Sequence, residues 1–255
     1  MTNLSNFKFM RKCHNVIKFN LVKKAVDVYK RENNIKFIKL FDTSVGRFGD
    51  MHSYMKSKID RIVGIDPDDL SIKEGNDRLE STYPDHDTEL LVDTISNSFI
   101  KITEFFDIVV SNFTLHYFFE NSIKLENAIR NVSRRLKSGG YFIGTSIDGN
   151  SIHTIDTPYY KIEENITNPE DNFGNSYTFE LKDKTNSGNY FSEKVSIQTE
   201  YKVNRETFKE VCKNNGLEFV SFCNFKDFPS IDRTNFSEHE HFVHNMYFTF
   251  IFYKT

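Results

Sequence analysis

The 255-residue sequence has no tryptophan and only three cysteines. Cys13, Cys212 and Cys223 stand far apart, and no two form a C-x-x-C pair. That spacing excludes a zinc ribbon and a disulfide scaffold and suggests a reducing compartment. No apolar run approaches the ~20 residues needed to span a bilayer. The first twelve residues lack the apolar stretch of a signal peptide. An intracellular, cytoplasmic chain with no membrane partner is the expectation. Charge is without excess too: 33 basic against 36 acidic residues leave −3. A chain that coats nucleic acid non-specifically would be basic overall, so that role is disfavoured, while a local basic patch stays open. There is no internal repeat and no low-complexity tract.

Phenylalanine and tyrosine are abundant, at 26 and 12 residues. Such rings fill a core, and they leave open a pocket that stacks on a planar ligand. With 38% apolar and 27% charged residues, the chain is not of the disordered class. Over the first 150 residues strand-like and helix-like segments alternate. Ile35–Phe41, Arg61–Ile65, Glu89–Val92, Phe105–Val110 and Tyr141–Ile147 read as strands. Asp50–Lys58, Asp68–Leu79 and Ile123–Leu136 read as helices, the second capped by Asp68 or Asp69 and the third stopped by Gly139-Gly140. This alternation predicts an α/β fold with a parallel sheet covered on both faces. The stretch 148–202 is polar, with strands expected at Ser176–Leu181 and Tyr190–Ile197. A helix Arg205–Asn214, capped by Asn204 and ended by Gly216, a strand Leu217–Phe225, an irregular loop Phe228–His244 and a strand Met246–Tyr253 follow.

Three places carry chemistry. The first strand runs into Asp42-Thr43-Ser44-Val45-Gly46-Arg47-Phe48-Gly49-Asp50. In a doubly wound sheet the ligand lies over this turn, where glycine lets the backbone bend and come close. Ser44 and Phe48 stand where a D-x-G-x-G-x-G loop has glycine, so an ordinary βα turn is an equal reading. The second strand ends in Asp66, about 20 residues on, where a carboxylate accepts hydrogen bonds from ribose hydroxyls. Asp66 is otherwise a helix cap. No G-x-G-x-x-G is present, which favours an adenosine ligand without a pyrophosphate. The fourth strand leads into Asn112-Phe113-Thr114-Leu115-His116-Tyr117. A lone His-Tyr pair is more often structural, but this position faces the cofactor.

Taken in order, these blocks resemble the mRNA cap guanine-N(7) methyltransferases, especially the methyltransferase domains of large-DNA-virus capping enzymes. Phe9–Lys18 resembles the family's F-x-R-x-x-N-N-x-x-K helix. Asp42–Asp50 resembles its D-x-G-x-G-x-G-G-D loop, Ile59–Asp66 its I-x-x-x-V-G-x-D strand, and Asn112–Tyr117 its Q-F-x-x-H-Y motif. Ser138–Thr145 resembles S-P-G-G-Y-F-I-G-T. Phe173-Gly174-Asn175, Glu200-Tyr201 and the strand with Tyr247 resemble later blocks. Asp66-Pro67-Asp68 and Ser146-Ile147-Asp148-Gly149 look more viral than cellular.

The resemblance implies a class I S-adenosylmethionine-dependent methyltransferase (Rossmann-like): a mostly parallel seven-stranded sheet with an antiparallel last strand and an inserted β-hairpin region. It implies one domain, 1–255: a basic N-terminal helical arm (1–34), a cofactor-binding core (35–147), an inserted cap-side region (148–203), and a closing helix and hairpin (204–255). S-adenosylmethionine is the implied donor, with S-adenosylhomocysteine as product and no metal. A GpppN-capped RNA is the implied acceptor. Carried over residue by residue, Lys18, Asp42, Gly46, Asp66, Asp93, Asn112 and Phe113 line the donor pocket. Lys18 stands near the methionine carboxylate, Asp93 near the adenine and the backbone around Asn112 near the sulfonium. His116, Tyr117, Glu200 and Tyr247 hold the cap guanine. Asn112 is shorter than the usual Gln. Other domains of a capping polypeptide, or a stimulatory subunit, are implied partners; a viral member would work at a replication site or in the virion.

The rival readings are a class I methyltransferase with another acceptor, and an idle subunit of the same fold that binds a partner or RNA. Arg11, Lys12, Lys18, Lys23, Lys24, Lys30 and Arg31 cluster before the first strand, as an RNA-steering arm or as a solvated helix face. His239-Glu240-His241 and His244 read as surface residues rather than a zinc site.

Overall fold

A computed structural model describes residues 7–182 and 197–255. The chain begins with α1 (Lys8–Asn33), which buries Met10, Cys13, His14, Ile17, Leu21 and Val22, among others. Apolar residues at three- and four-residue steps give the helix one inward face. It packs as a layer of the fold, with Lys12, Lys24 and Arg31 on its exposed side. Then follow β1 (Lys39–Asp42), α2 (Met51–Lys56), β2 (Arg61–Asp66), α3 (Asp69–Thr82), β3 (Asp87–Val92), β4 (Phe106–Asn112), α4 (Leu115–Phe118), α5 (Ser122–Arg135) and β5 (Leu136–Ile147). The inserted region holds β6 (Ile155–Asp156), β7 (Tyr160–Asn165), β8 (Ser176–Leu181) and β9 (Ile197–Tyr201). The chain closes with α6 (Arg205–Asn214), β10 (Leu217–Asn224), α7 (Glu238–Asn245) and β11 (Tyr247–Lys254).

The main sheet has the order β10-β11-β5-β4-β1-β2-β3. Strands β1 to β5 pair in parallel, and β11 runs antiparallel to both β5 and β10. Side-chain alternation divides neighbouring residues between the two faces. Phe41, Val63 and Val109 join the core under α5 and α6. Leu40, Ile62 and Ile108 join the core under α1 and α3. Phe142, Phe208, Phe248, Phe250 and Phe252 lie together in the first core. The remaining strands form a separate antiparallel sheet, β6-β7-β8-β9, whose apolar face includes Tyr160, Ile162, Tyr177 and Phe179.

The fold class and the strand at Ser176–Leu181 agree with the sequence reading. The strand expected at Tyr190–Ile197 lies, but for its last residue, outside the described residues. Two local expectations are corrected. Helix α5 does not stop at Gly139-Gly140: it passes straight into β5 at Leu136, and both glycines lie within that strand. The register shifts there, with Phe106 opposite Leu136 and Ile108 opposite Tyr141. Gly139 has φ +82°, and a Cβ on Gly140 would meet the Asp107 carbonyl oxygen at 2.8 Å. These glycines serve a bulge. The loop expected over Phe228–His244 contains α7, whose Ser237 and Glu240 form a capping box. The S-x-x-E signature was readable in the sequence.

Gly144 marks the tightest contact between β5 and its neighbours. A Cβ there would stand 1.9 Å from the Ser111 carbonyl oxygen and 2.5 Å from the Phe250 ring. Backbone cannot yield as a flexible side-chain tip does. Gly144→Ala is therefore expected to cost about 3 kcal/mol or more, read as a lowered denaturant midpoint. A wild-type midpoint would contradict this packing.

Candidate active site

The strand order reverses between β1 and β4, and the carboxyl ends of β1, β2, β3 and β4 meet there. Asp42 ends β1 and is buried. Its carboxylate accepts the Tyr54 hydroxyl at 2.6 Å and the Ser44 N–H at 3.1 Å. Burial pushes its pKa up to about 7. Gly46 has φ +51° and donates its N–H to Asp66 at 2.9 Å. Phe48, at a family glycine position, takes the left-handed region itself at φ +55°. Its ring is buried in the core, and that burial offsets the cost of the backbone conformation. The Ser44 hydroxyl bonds to Thr114 Oγ1 at 2.9 Å, and Thr114 bonds to Ser111 Oγ at 2.9 Å. The residues that replace glycine thus fasten the loop to the core and to β4.

Asp66 accepts two backbone N–H groups, from Gly46 and from Asp68 at 3.1 Å, and burial raises its pKa. Asp93 follows β3 beside it, its own N–H donating to the Asp66 carbonyl at 3.1 Å. Its carboxylate accepts from Thr94 N and Asn97 Nδ2 at 2.8 Å each and from Lys101 N at 3.1 Å, so it organises the following loop. Lys18 reaches in from α1 and pairs with Asp50 at 2.5 Å. Asp50 also accepts from Asn112 Nδ2 at 3.2 Å, and Thr145 donates to Asn112 Oδ1 at 3.2 Å. The Lys18 ammonium stands 5.6 Å from the centre of the Phe113 ring. Of the cluster Arg11, Lys12, Lys18, Lys23, Lys24, Lys30 and Arg31, Lys18 is built into this network. Lys23 pairs with Asp27 at 2.6 Å and Lys30 donates to the Lys58 carbonyl at 3.1 Å.

A second group of side chains lies on α4 and the small sheet. His116 is buried and packs against the Tyr117 ring at 4.2 Å. Its Nε2 is 3.7 Å from Glu200 Oε1, too far for a hydrogen bond, and neither ring nitrogen has a hydrogen-bond partner. Burial lowers its pKa against the opposing pull of Glu200, so it is neutral near pH 7. Glu200, on β9, is itself buried and accepts the Tyr177 hydroxyl at 2.5 Å. Burial, then the Glu200 charge, raises the pKa of both Tyr177 and Tyr117. Tyr117 remains 38% exposed.

Tyr247 opens β11 beside a third group. Its ring stands edge-on to Phe113 at 5.3 Å and to His14 at 5.2 Å. Phe113, at φ +56°, is a second non-glycine residue held in the left-handed region, at the end of β4. Phe225 and His244 complete the group against His14, at 4.9 and 5.2 Å.

The sequence reading named Lys18, Gly46, Asp66, Asn112, Phe113, His116, Tyr117, Glu200 and Tyr247. The fold brings these to one end of the sheet. Asp42 sits behind the loop and Asp93 inside its own loop. Tyr177, His14 and His244 were not named among the site residues. Tyr177 shows itself only through strand register, directly opposite Glu200. Glu240 and His244, read as surface residues, are fully buried. Among the described residues, no three His, Cys, Asp or Glu side chains are grouped to hold a metal ion, and no helix is long and apolar enough to cross a membrane.

These buried groups give a pH signature with two opposed parts. Burial lowers the pKa of His14 and takes that of His244 to about 4. The unfolded chain takes up these protons near pH 6.5 and the folded chain does not, so stability falls as pH drops from about 6.5 toward 4. Asp42 works in reverse: it keeps its proton up to about pH 7 when folded, so its contribution is lost as pH rises from about 4 to 7. His244→Gln is expected to flatten the acid-side loss, and Asp42→Asn to increase stability near pH 7 relative to pH 5. Denaturant midpoints across pH 4.5–7.5 read both; unchanged profiles would contradict the burial of these groups.

The strand order and the strand-end site define the class I methyltransferase fold. A S-adenosylmethionine-dependent methyltransferase from Clostridium acetobutylicum superposes with TM-score 0.62 over 92% of both chains at 16% identity. One from Mesorhizobium loti gives 0.57 over 86% of this chain and 91% of its own, at 12% identity. The model of the mRNA (guanine-N(7))-methyltransferase domain matches residues 2–250, and the chain belongs to that family. The mRNA cap guanine-N(7) methyltransferase of Saccharomyces cerevisiae is 29% identical across 89% of this chain and 54% of its own length. Its namesake in Caenorhabditis briggsae is 26% identical across 88% and 62%. The chain thus spans from 27% to 62% of the length of the curated relatives it matches.

Proposed function

We propose that this chain transfers a methyl group from S-adenosylmethionine to nitrogen 7 of the guanine in a GpppN-capped RNA. The observation that carries the acceptor side is the pair of unpartnered nitrogens on buried His116 beside buried Glu200. Buried polar atoms are normally satisfied, so this pair calls for a polar ligand. A neutral imidazole offers one donor and one acceptor, and Glu200 offers acceptor capacity beyond its Tyr177 bond. The N–H edge of guanine complements that set, and Tyr117 adds an aromatic face.

The donor side fits S-adenosylmethionine on two observations. Asp66 uses two acceptor sites on backbone N–H groups and keeps others for a ribose diol. Lys18 and Asp50 set opposite charges side by side, as an α-amino acid end group requires. When bound, the donor supplies a methyl group already activated on a positively charged sulfur. Nitrogen 7 carries a lone pair, so the protein has no proton to remove from it. The side chains hold the two reactants in line and exclude water. The Glu200 carboxylate favours the positive charge that develops on the methylated ring, and Tyr117 and Tyr247 add cation–π attraction to it.

The RNA behind the cap, other capping domains or a stimulatory subunit, and an intracellular site of mRNA capping belong to this proposal. The viral shading rests on Asp66–Asp68 and Ser146–Gly149 alone. The test is labelled S-adenosylmethionine with GpppA-capped RNA, followed by cap digestion. Label in 7-methylguanosine is expected. Transfer to a ribose oxygen or to uncapped RNA would favour the other-acceptor reading. No transfer and no donor binding by calorimetry would leave only a binding subunit.

A further inference from the structure

Helix α1 carries Lys18 into the donor site, yet its own start is poorly equipped. Phe7 precedes it at φ +49° with no side-chain cap, and its first turn has no acidic residue. The first N–H groups of a helix need acceptors, and a nearby carboxylate also suits the helix dipole. The acceptor comes from 230 residues away. Glu240, on α7, takes the Met10 N–H on Oε1 at 3.1 Å. Its other oxygen takes the Ser237 N–H and hydroxyl at 3.0 and 3.2 Å. One fully buried carboxylate therefore caps two helices at once.

A second rung lies one turn further along both helices. His244, four residues after Glu240, packs on His14, four residues after Met10, at 5.2 Å. Arg233 fixes the His244 ring through Nε to Nε2 at 3.1 Å, and holds the Phe228 carbonyl at 3.0 Å. Another four residues along α1 stands Lys18. Helix α7 then passes through Met246 into Tyr247. Two rungs of matched spacing leave α1 little freedom to slide or turn against α7.

We propose that Glu240, with His244, is a positioning residue: α7 sets the axial register of α1 and so places Lys18 against Asp50. This rests on the reading of Lys18 as a donor-binding residue. Neither Glu240 nor His244 touches the donor; each acts through α1. A Glu240→Gln change keeps the shape but leaves one carbonyl oxygen for two sets of N–H donors, so either Met10 on α1 or Ser237 on α7 loses its acceptor and the shared cap is broken.

The experiment is calorimetric binding of S-adenosylhomocysteine to the full chain at 15 °C, with folding checked by circular dichroism. Glu240→Gln is expected to weaken binding about tenfold, and Lys18→Met more. The double variant is expected to bind no more weakly than Lys18→Met alone, because the first change acts through the second residue. Cys212→Ala, on the buried face of α6, is the control for general destabilisation and should leave affinity unchanged. If Glu240→Gln does not fold, His244→Gln takes its place; it keeps an acceptor for Arg233 and removes the ring contact with His14. A weakening of about threefold is expected, again absent from the double variant with Lys18→Met. Wild-type affinity in the folded α7 variant, or full additivity with Lys18→Met, overturns the proposal. A wild-type chain that does not bind S-adenosylhomocysteine, or a Lys18→Met variant that binds normally, overturns the donor reading instead.

Discussion

Glu200→Ala is expected to lower kcat for cap methylation by about 10²- to 10³-fold while leaving S-adenosylhomocysteine affinity within about twofold. The carboxylate is buried, held by Tyr177 at 2.5 Å and placed beside the unpartnered His116 ring. In the proposed role its interaction with guanine strengthens as the ring becomes cationic, so removal is expected to raise the barrier more than it weakens ground-state binding. Glu200→Gln keeps one acceptor and loses the charge, and is expected to fall between wild type and alanine. Tyr177→Phe leaves Glu200 charged but unheld; a loss of about tenfold is expected. Single-turnover methylation with GpppA-capped RNA, alongside calorimetry, reads all three. Equal loss of donor affinity in Glu200→Ala would show that Glu200 supports the fold of the small sheet rather than the acceptor. Tyr117→Ala should likewise remove activity with donor binding kept.

Asp66→Ala is expected to act on the other substrate, raising the dissociation constant for S-adenosylhomocysteine by about 100-fold. Part of that loss comes from the ligand, through the hydroxyl bonds the carboxylate accepts. Part comes from the loop, because Gly46 and Asp68 lose their shared acceptor. Asp66→Asn separates the two: its single carbonyl oxygen serves either the loop or the ligand, and an intermediate loss is expected. Unchanged donor affinity in Asp66→Ala would refute the ribose role. Together these experiments divide the site into a donor half, centred on Asp66 and Lys18, and an acceptor half, centred on Glu200.

Much of the strand-end geometry proposed to hold the donor could be read from the sequence because its parts are local. A strand, a loop and a carboxylate about 20 residues on follow one another along the chain. The loop's departures were legible too, but not their meaning. Ser44 and Phe48 look like lost glycines, whereas in the fold Ser44 ties the loop to Thr114 and Phe48 anchors it in the core. Asp93 shows the limit of position alone: its place after β3 was foreseen, but its carboxylate is engaged with Thr94, Asn97 and Lys101.

By itself the sequence determined the alternation of strands and helices, the parallel sheet with its antiparallel last strand, and the family motifs on the strand ends. The alternation and the parallel sheet follow from hydrophobic periodicity and from turn and cap residues, which act over a few positions, while the antiparallel last strand is what the resemblance carried by those motifs implies. Tertiary structure alone decided which distant side chains share an environment. Tyr177 meets Glu200 through the register of β8 and β9. Glu240 becomes the cap of a helix 230 residues earlier. His239-Glu240-His241 and His244 looked like a polar loop, but burial on α7 makes Glu240 and His244 part of the core. Burial, pKa and hydrogen-bond partnership belong to the packed surroundings of a side chain, and chain neighbours do not specify those surroundings.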